Sequence, residues 1–154
     1  MNNDITATTT RQHDQVVTSV LYVTGGMFFF TVRGKLDGNA FEQMKTDFRL
    51  EAGAFSLAGH ENVLCIWELT DVDNIRYRFV DLLMICDMLQ KLNHQQVIVL
   101  LPDDEDLLRA IRVFCLDIKA MASGSVYFWF MQSHGDAFAF IAHLANYPDP
   151  EYGS

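Results

Sequence analysis

The sequence predicts an α/β domain built on a mixed, mostly parallel sheet opened by an antiparallel hairpin, with crossover helices. Three observations lead there. Two strand-like runs near the start, QVVTSVLYVT and MFFFTVRG, are separated by Gly25-Gly26 and read as a hairpin. Three later runs, ENVLCIWEL, QVIVLL and SVYFWFM, have strand length and the near-continuous hydrophobicity of strands buried on both faces. Between these runs, apolar residues recur at helical spacing, and such alternation implies parallel strands joined by helical crossovers.

The elements follow in order. Residues 1–14 are rich in Asn and Thr, offer little to bury, and are expected to form a disordered tail. The domain is expected over residues 15–147, with a second disordered tail at 148–154. After the hairpin, from Asn39, the residues Phe41, Met44 and Phe48 share one helical face, and 53–59 read as a loop. ENVLCIWEL is followed by a polar link, TDVDNIRYR. A long helical pattern of apolar residues then runs through Phe79, Leu82, Leu83, Cys86, Leu89 and Leu92. Pro102 ends the next strand, and residues 103–106 open a helix that turns Leu107, Leu108, Ile111, Phe114 and Ile118 to the core. SVYFWFM is the last strand. Asp136 begins a final helix with Ala137, Phe140, Ile141 and Leu144 on one face, and the prolines of ANYPDPEYGS block its continuation.

Composition narrows the functions. The chain has 154 residues, half of them hydrophobic and a fifth charged, as a folded domain requires. Its formal net charge of −9 repels nucleic acid and anionic membranes, so neither is an expected partner. No apolar run reaches the roughly 20 residues that span a bilayer, and residues 1–14 lack the apolar stretch of a signal peptide. Cys65, Cys86 and Cys115 stand apart in apolar runs, without metal-ligand or redox spacing, and read as free buried thiols. A cytoplasmic location is the expectation.

Catalysis and metal binding need side chains that converge in constellations. His13, His60, His94, His134 and His143 lie in the tail, in loops or at element ends, and none has a helical i, i+4 partner of the kind a zinc site favours. Nucleophile-elbow, Walker and dinucleotide-binding motifs are absent, and Gly25-Gly26 lies between strands rather than before a helix. Residues 103–106 form an acidic run, but carboxylates at a helix start cap free N–H groups and oppose the dipole, which accounts for them without a metal. No cofactor, no metal and no catalytic residue is expected; the chain reads as a non-enzyme. The aromatic strands, Phe28 to Phe30 and Tyr127 to Phe130, are expected to pack in the core, with a cavity for an apolar ligand as the alternative use.

The order of elements resembles the STAS domain of anti-sigma factor antagonists and of sulfate-transporter tails. The likeness runs from about Val16 to Leu144. FTVRGKLDGNAFEQM is similar to the family's strand, G-x-L-D and helix; VLCIWELTDV to its strand ending in a D-L-S-x-V type turn. DLLMICDMLQKLNHQQVIVLLPDDEDLLRAI matches its helix, strand and helix in pattern, and GDAFAFIAHL its last helix. The resemblance implies a bacterial regulatory domain that binds a protein partner, either a kinase or anti-sigma-like signalling protein, or another copy of itself. In partner-switching members the tetrad D-S-S-G or D-S-T-G carries a phosphorylated serine, whereas here Arg76, Tyr77, Arg78 and Phe79 stand there. Neither serine nor threonine is available at that turn. Arg76, Tyr77, Arg78 and Asp81 are therefore the expected partner-binding residues, with the arginines either neutralised by Asp71, Asp73 and Asp81 or facing an acidic partner. The rival expectation is a binder of an apolar small molecule or lipid, in a cavity like that of the SEC14 fold.

Overall fold

Three consecutive phenylalanines decide which way the sheet faces. In a strand, neighbouring side chains point to opposite sides, so Phe28 and Phe30 share one face and Phe29 takes the other. The computed structural model describes residues 7–22, 27–57, 64–89, 95–122 and 126–146. In it Phe28 and Phe30 are wholly buried under helices, while Phe29 joins a smaller cluster behind the sheet. The Gly25-Gly26 turn lies outside the described residues.

The elements are β1 (Ala7–Gln12), β2 (Val16–Tyr22), β3 (Met27–Leu36), α1 (Gly38–Leu57), β4 (Leu64–Ile75), α2 (Phe79–Leu89), β5 (Gln95–Leu100), α3 (Glu105–Met121), β6 (Val126–Met131) and α4 (His134–Asn146). The strands lie side by side in sequence order. β1, β2 and β3 pair antiparallel, and β3 to β6 pair parallel, so the mixed sheet opened by a hairpin is found as expected. The sheet grows in one direction, and right-handed crossovers then put α1, α2 and α3 on one face. That face holds the main core around Phe28, Phe30, Trp67, Val97 and Val99. Helix α4 packs on the opposite face against Ile66, Ile98 and Leu100.

Aromatic contacts tie the helical layer together. Phe28 stacks on Phe48 of α1 at 4.7 Å, and Phe41 of α1 stacks on Phe114 of α3 at 5.1 Å. Truncating such a buried ring costs about 3–5 kcal/mol.

Four sequence expectations are corrected. Residues 7–12 are not a frayed tail but an edge strand, with Ala7 opposite Tyr22 and Gln12 opposite Val17. A Thr-rich strand at a sheet edge needs little to bury, because its backbone hydrogen bonds and β-branched residues suffice. The expected loop at 53–59 is helical as far as Leu57, since an isolated Gly53 costs a helix only about 1 kcal/mol. The polar link after ENVLCIWEL is largely strand: β4 continues to Ile75, pairing Val72 with Gly34 and Ile75 with Leu36 and burying Val72. The last helix starts at His134, two residues before Asp136, where the Asp136 N–H donates to Ser133 Oγ at 3.0 Å. Of the apolar pattern in α2, Phe79 and Leu83 do not face the core; they are exposed. Helix α2 is apolar nearly all round, and the layer receives only the side that carries Leu82, Ile85, Cys86 and Leu89.

Candidate functional site

The segment from Gly34 to Leu83 brings two loops together at the carboxyl ends of β3 and β4. Gly34 has φ +73°, a left-handed conformation that favours glycine, beside a register shift in the β3–β4 pairing. Leu36 then turns inward, and Asp37 caps α1, accepting the Ala40 N–H on Oδ1 at 3.2 Å. The G-x-L-D pattern is thus a bulge, an anchor and a cap in succession. Opposite it, the Arg76 N–H donates to the Leu36 carbonyl at 3.0 Å, which seats the β4–α2 turn against the start of α1.

Within that turn the four expected residues have different environments. Asp81 is only 1% exposed. Its Oδ2 accepts the Arg78 N–H at 2.8 Å, and its Oδ1 lies 3.2 Å from Arg78 Nη2. A backbone bond to the first turn and a charge pair across it make Asp81 the carboxylate that starts α2. The hydrogen bond and charge of Asp81 push the Arg78 pKa upward from its ordinary value. Gly38 leaves room for this pair, since a Cβ there would stand 3.2 Å from Asp81 Oδ1 and 3.4 Å from Arg78 Nη2. Asp81 therefore shapes the turn from inside instead of presenting a surface.

Tyr77 belongs to the helical layer. Its ring packs 4.7 Å from that of Phe114, and its hydroxyl donates to Asp117 Oδ2 at 3.2 Å, both on α3. Burial, then the Asp117 charge, push its pKa up, which keeps the phenol protonated. Arg76 is exposed, and among the described residues no carboxylate pairs with it. The two arginines thus part company: Arg78 is neutralised locally by Asp81, and Arg76 is not.

Sequence periodicity missed the apolar surface beside them. Phe79 (67% exposed), Val80 and Leu83 (46% exposed) line the outer side of the first two turns of α2. The signal was present in a helix too apolar for one buried stripe, but which side faces outward depends on how α2 is rolled against α1 and α3.

The other candidates sort as follows. Asp104 caps α3, accepting the Leu107 N–H at 2.9 Å, and Glu105 and Asp106 lie 3.7 and 3.6 Å from Arg109. No group of three or more His, Cys, Asp and Glu among the described residues is placed to hold a metal ion. Burial pushes the Cys65 thiol up to about 12 and raises those of Cys86 and Cys115, which removes the thiolate a nucleophile needs. Two histidines gain long-range partners that spacing along the chain did not show. His13 Nε2 lies 3.0 Å from both oxygens of buried Asp47, and His134 Nε2 lies 3.0 Å from Glu68 Oε2. His60 and His94 lie outside the described residues. No helix among the described residues is long and apolar enough to cross a membrane.

Of the aromatic strands, Phe28 and Phe30 are core. Phe130 instead borders a solvent-open cavity of about 820 Å³ at the carboxyl end of β6, between α3 and α4.

Two solved structures are similar to this chain. One is an uncharacterised protein of the DUF3478 family with a SpoIIAA-like fold from Shewanella loihica PV-4: 19% identity, 87% of this chain and 91% of that one covered, TM-score 0.46. The other is the anti-sigma factor antagonist SpoIIAA in its unphosphorylated form: 13% identity, 89% and 98% covered, TM-score 0.45. No family model matches the chain, and no curated protein matches it.

Proposed function

We propose that this chain is a regulatory domain that binds a protein partner through the β4–α2 turn and the outer face of α2, and that it catalyses no reaction. One observation carries the reading: Phe79, Val80 and Leu83 stand exposed together on two helical turns, beside Arg76, with which no carboxylate among the described residues pairs. Contiguous apolar side chains with a polar rim mark interaction surfaces in soluble proteins. Aromatic anchors supply most of the energy in such contacts. Arg76 and Arg78 give the rim a positive character in a chain of net charge −9, so the fitting partner offers an apolar groove with acidic edges. Phe79 is the anchor in this reading, with Arg76 and Arg78 on the rim. Tyr77 and Asp81 hold the turn in place. With no serine or threonine at the turn, binding here is not switched by serine phosphorylation.

The test uses a partner recovered from the native cell with the wild-type chain, then purified. Phe79→Ser with Leu83→Ser should weaken its affinity at least about tenfold at an unchanged melting temperature, because both side chains already face water. Arg76→Glu should act mainly on the association rate and its salt dependence. Unchanged affinity in all of these variants places the binding surface elsewhere. If the recovered partner is a second copy, sedimentation of the same variants reads the loss directly.

A second reading, binding of an apolar small molecule, is favoured by the cavity beside Phe130.

A further inference from the structure

The cavity lies where the two helical layers of the fold diverge. Helix α3 leaves β5 toward one face of the sheet, and α4 leaves β6 toward the other. Between them, at the carboxyl ends of the parallel strands, the chain leaves a concavity of about 820 Å³ that opens to solvent past Arg112, Gln132 and Asp136. Open α/β sheets bind ligands in such crevices, and the volume falls in the roughly 300–1,000 Å³ range of small-molecule sites. Its apolar walls include Leu108 of α3, Phe130 of β6 and Phe140 of α4; its polar lining is Arg112, Gln132 and Asp136.

Arg112 sets the chemistry. Its guanidinium lies over the Phe130 ring, 5.3 Å from the centroid. No carboxylate among the described residues pairs with it, whereas Arg109, one turn earlier, is held by Glu105 and Asp106. A guanidinium held against a ring with its N–H edge unpaired offers a carboxylate the two parallel hydrogen bonds it accepts best. A dianionic phosphate fits less well. Among the described residues Arg112 is the one cationic side chain in the lining, and Asp136 adds a negative charge.

We propose that this cavity binds an apolar monocarboxylate, an aromatic or medium-chain aliphatic acid, with its carboxylate on Arg112 and its body against Phe130 and Phe140. The proposal rests on the second reading above and names the ligand's chemistry; it does not depend on docking at α2.

The probe is 3-phenylpropionate, with 3-phenylpropanol and 3-phenylpropylamine as arms of equal size, titrated into the full chain and followed by NMR. The acid should bind saturably and shift the resonances of Phe130, Phe140 and Arg112. Arg112→Gln should reduce its affinity about tenfold, the loss of a charge-assisted pair, with Arg112→Lys between the two. Ala139→Trp, at another lining position, should abolish binding with the circular dichroism unchanged. If that variant unfolds, Arg112→Gln alone decides, because Arg112 is exposed. The alcohol binding as tightly as the acid, indifferent to Arg112→Gln, overturns the carboxylate assignment and leaves an apolar site. Tighter binding of the amine overturns it in favour of Asp136. If none of the three binds, the second reading falls as well.

Discussion

Asp81 and Asp47 are equally buried, each 1% exposed, and each carboxylate is paired, yet they hold different parts of the molecule by different means. Asp81 takes its partner from three residues away. Arg78 supplies both a backbone N–H and a guanidinium, and the result is one helix start. Asp47 takes its partner from 34 residues away, where His13 reaches it from the connection between β1 and β2. One turn further along α1, Glu51 lies 2.6 Å from Arg11 Nη2 of β1. The two pairs clasp the edge strand to the helix. A local pair makes an element begin; a distant pair decides that an element belongs to the fold at all. The cost of breaking each differs accordingly.

The largest effect is expected at the clasp. His13→Ala leaves the buried Asp47 side chain without its hydrogen-bond partner and should lower stability by about 2–3 kcal/mol, because an unsatisfied buried polar group is expensive. Denaturant melts measure it, and hydrogen exchange should show β1 amides losing protection first. A loss below 1 kcal/mol would mean that β1 contributes little to the sheet. Asp81→Ala should cost less, about 1–2 kcal/mol, the value of a cap. Asp81→Asn keeps an acceptor for the Arg78 N–H and should recover much of that loss. If Asp81→Ala proves the costlier of the two, the contrast between local and distant pairing is wrong.

A third buried polar group sharpens the comparison from the opposite side. Thr18 is fully buried on β2, and its hydroxyl has no hydrogen-bond partner among the described residues. Thr18→Val should therefore raise stability, by about 1 kcal/mol, since it removes an unsatisfied group at nearly constant shape. The smallest effect belongs to Tyr77→Phe. It deletes one exposed hydrogen bond to Asp117 and keeps the ring on Phe114, so about 0.5 kcal/mol is expected in the same melts. The phenol's raised pKa gives a further sign. Both states hold the proton below pH 10, the ordinary tyrosine value. Above that the unfolded chain ionises first, so stability should fall with rising pH, and less so in Tyr77→Phe.

The readability of the fold follows the same division. β5 and β6 were legible because a buried strand needs only a short apolar run. The start of α3 was legible because Asp104 caps within three residues of itself. The Gly34, Leu36 and Asp37 pattern entered only through the family resemblance; that it is a bulge, an anchor and a cap was shown by the structure. Strand β1 was not, because Thr and Arg at an edge carry no apolar signal, and what holds them lies on β2 and α1. The exposed face of α2 was not either, because nearly every position there is apolar. Of the candidate site, the turn at Arg76, Tyr77 and Arg78 could be located from the sequence, but its inner and outer residues could not be told apart.

By itself, then, the sequence determined what short-range physics controls: the period of each element, its caps, the hairpin and the order of strands and helices. It also determined the net charge that disfavours polyanionic partners. The tertiary structure alone decided which long-range partners each side chain meets. It set Asp47 against His13, turned Phe79 outward, laid Arg112 over Phe130, and opened the space between α3 and α4. Those outcomes depend on how helices roll and where they diverge from the sheet. Such choices are made by packing over tens of residues, and no local pattern encodes them.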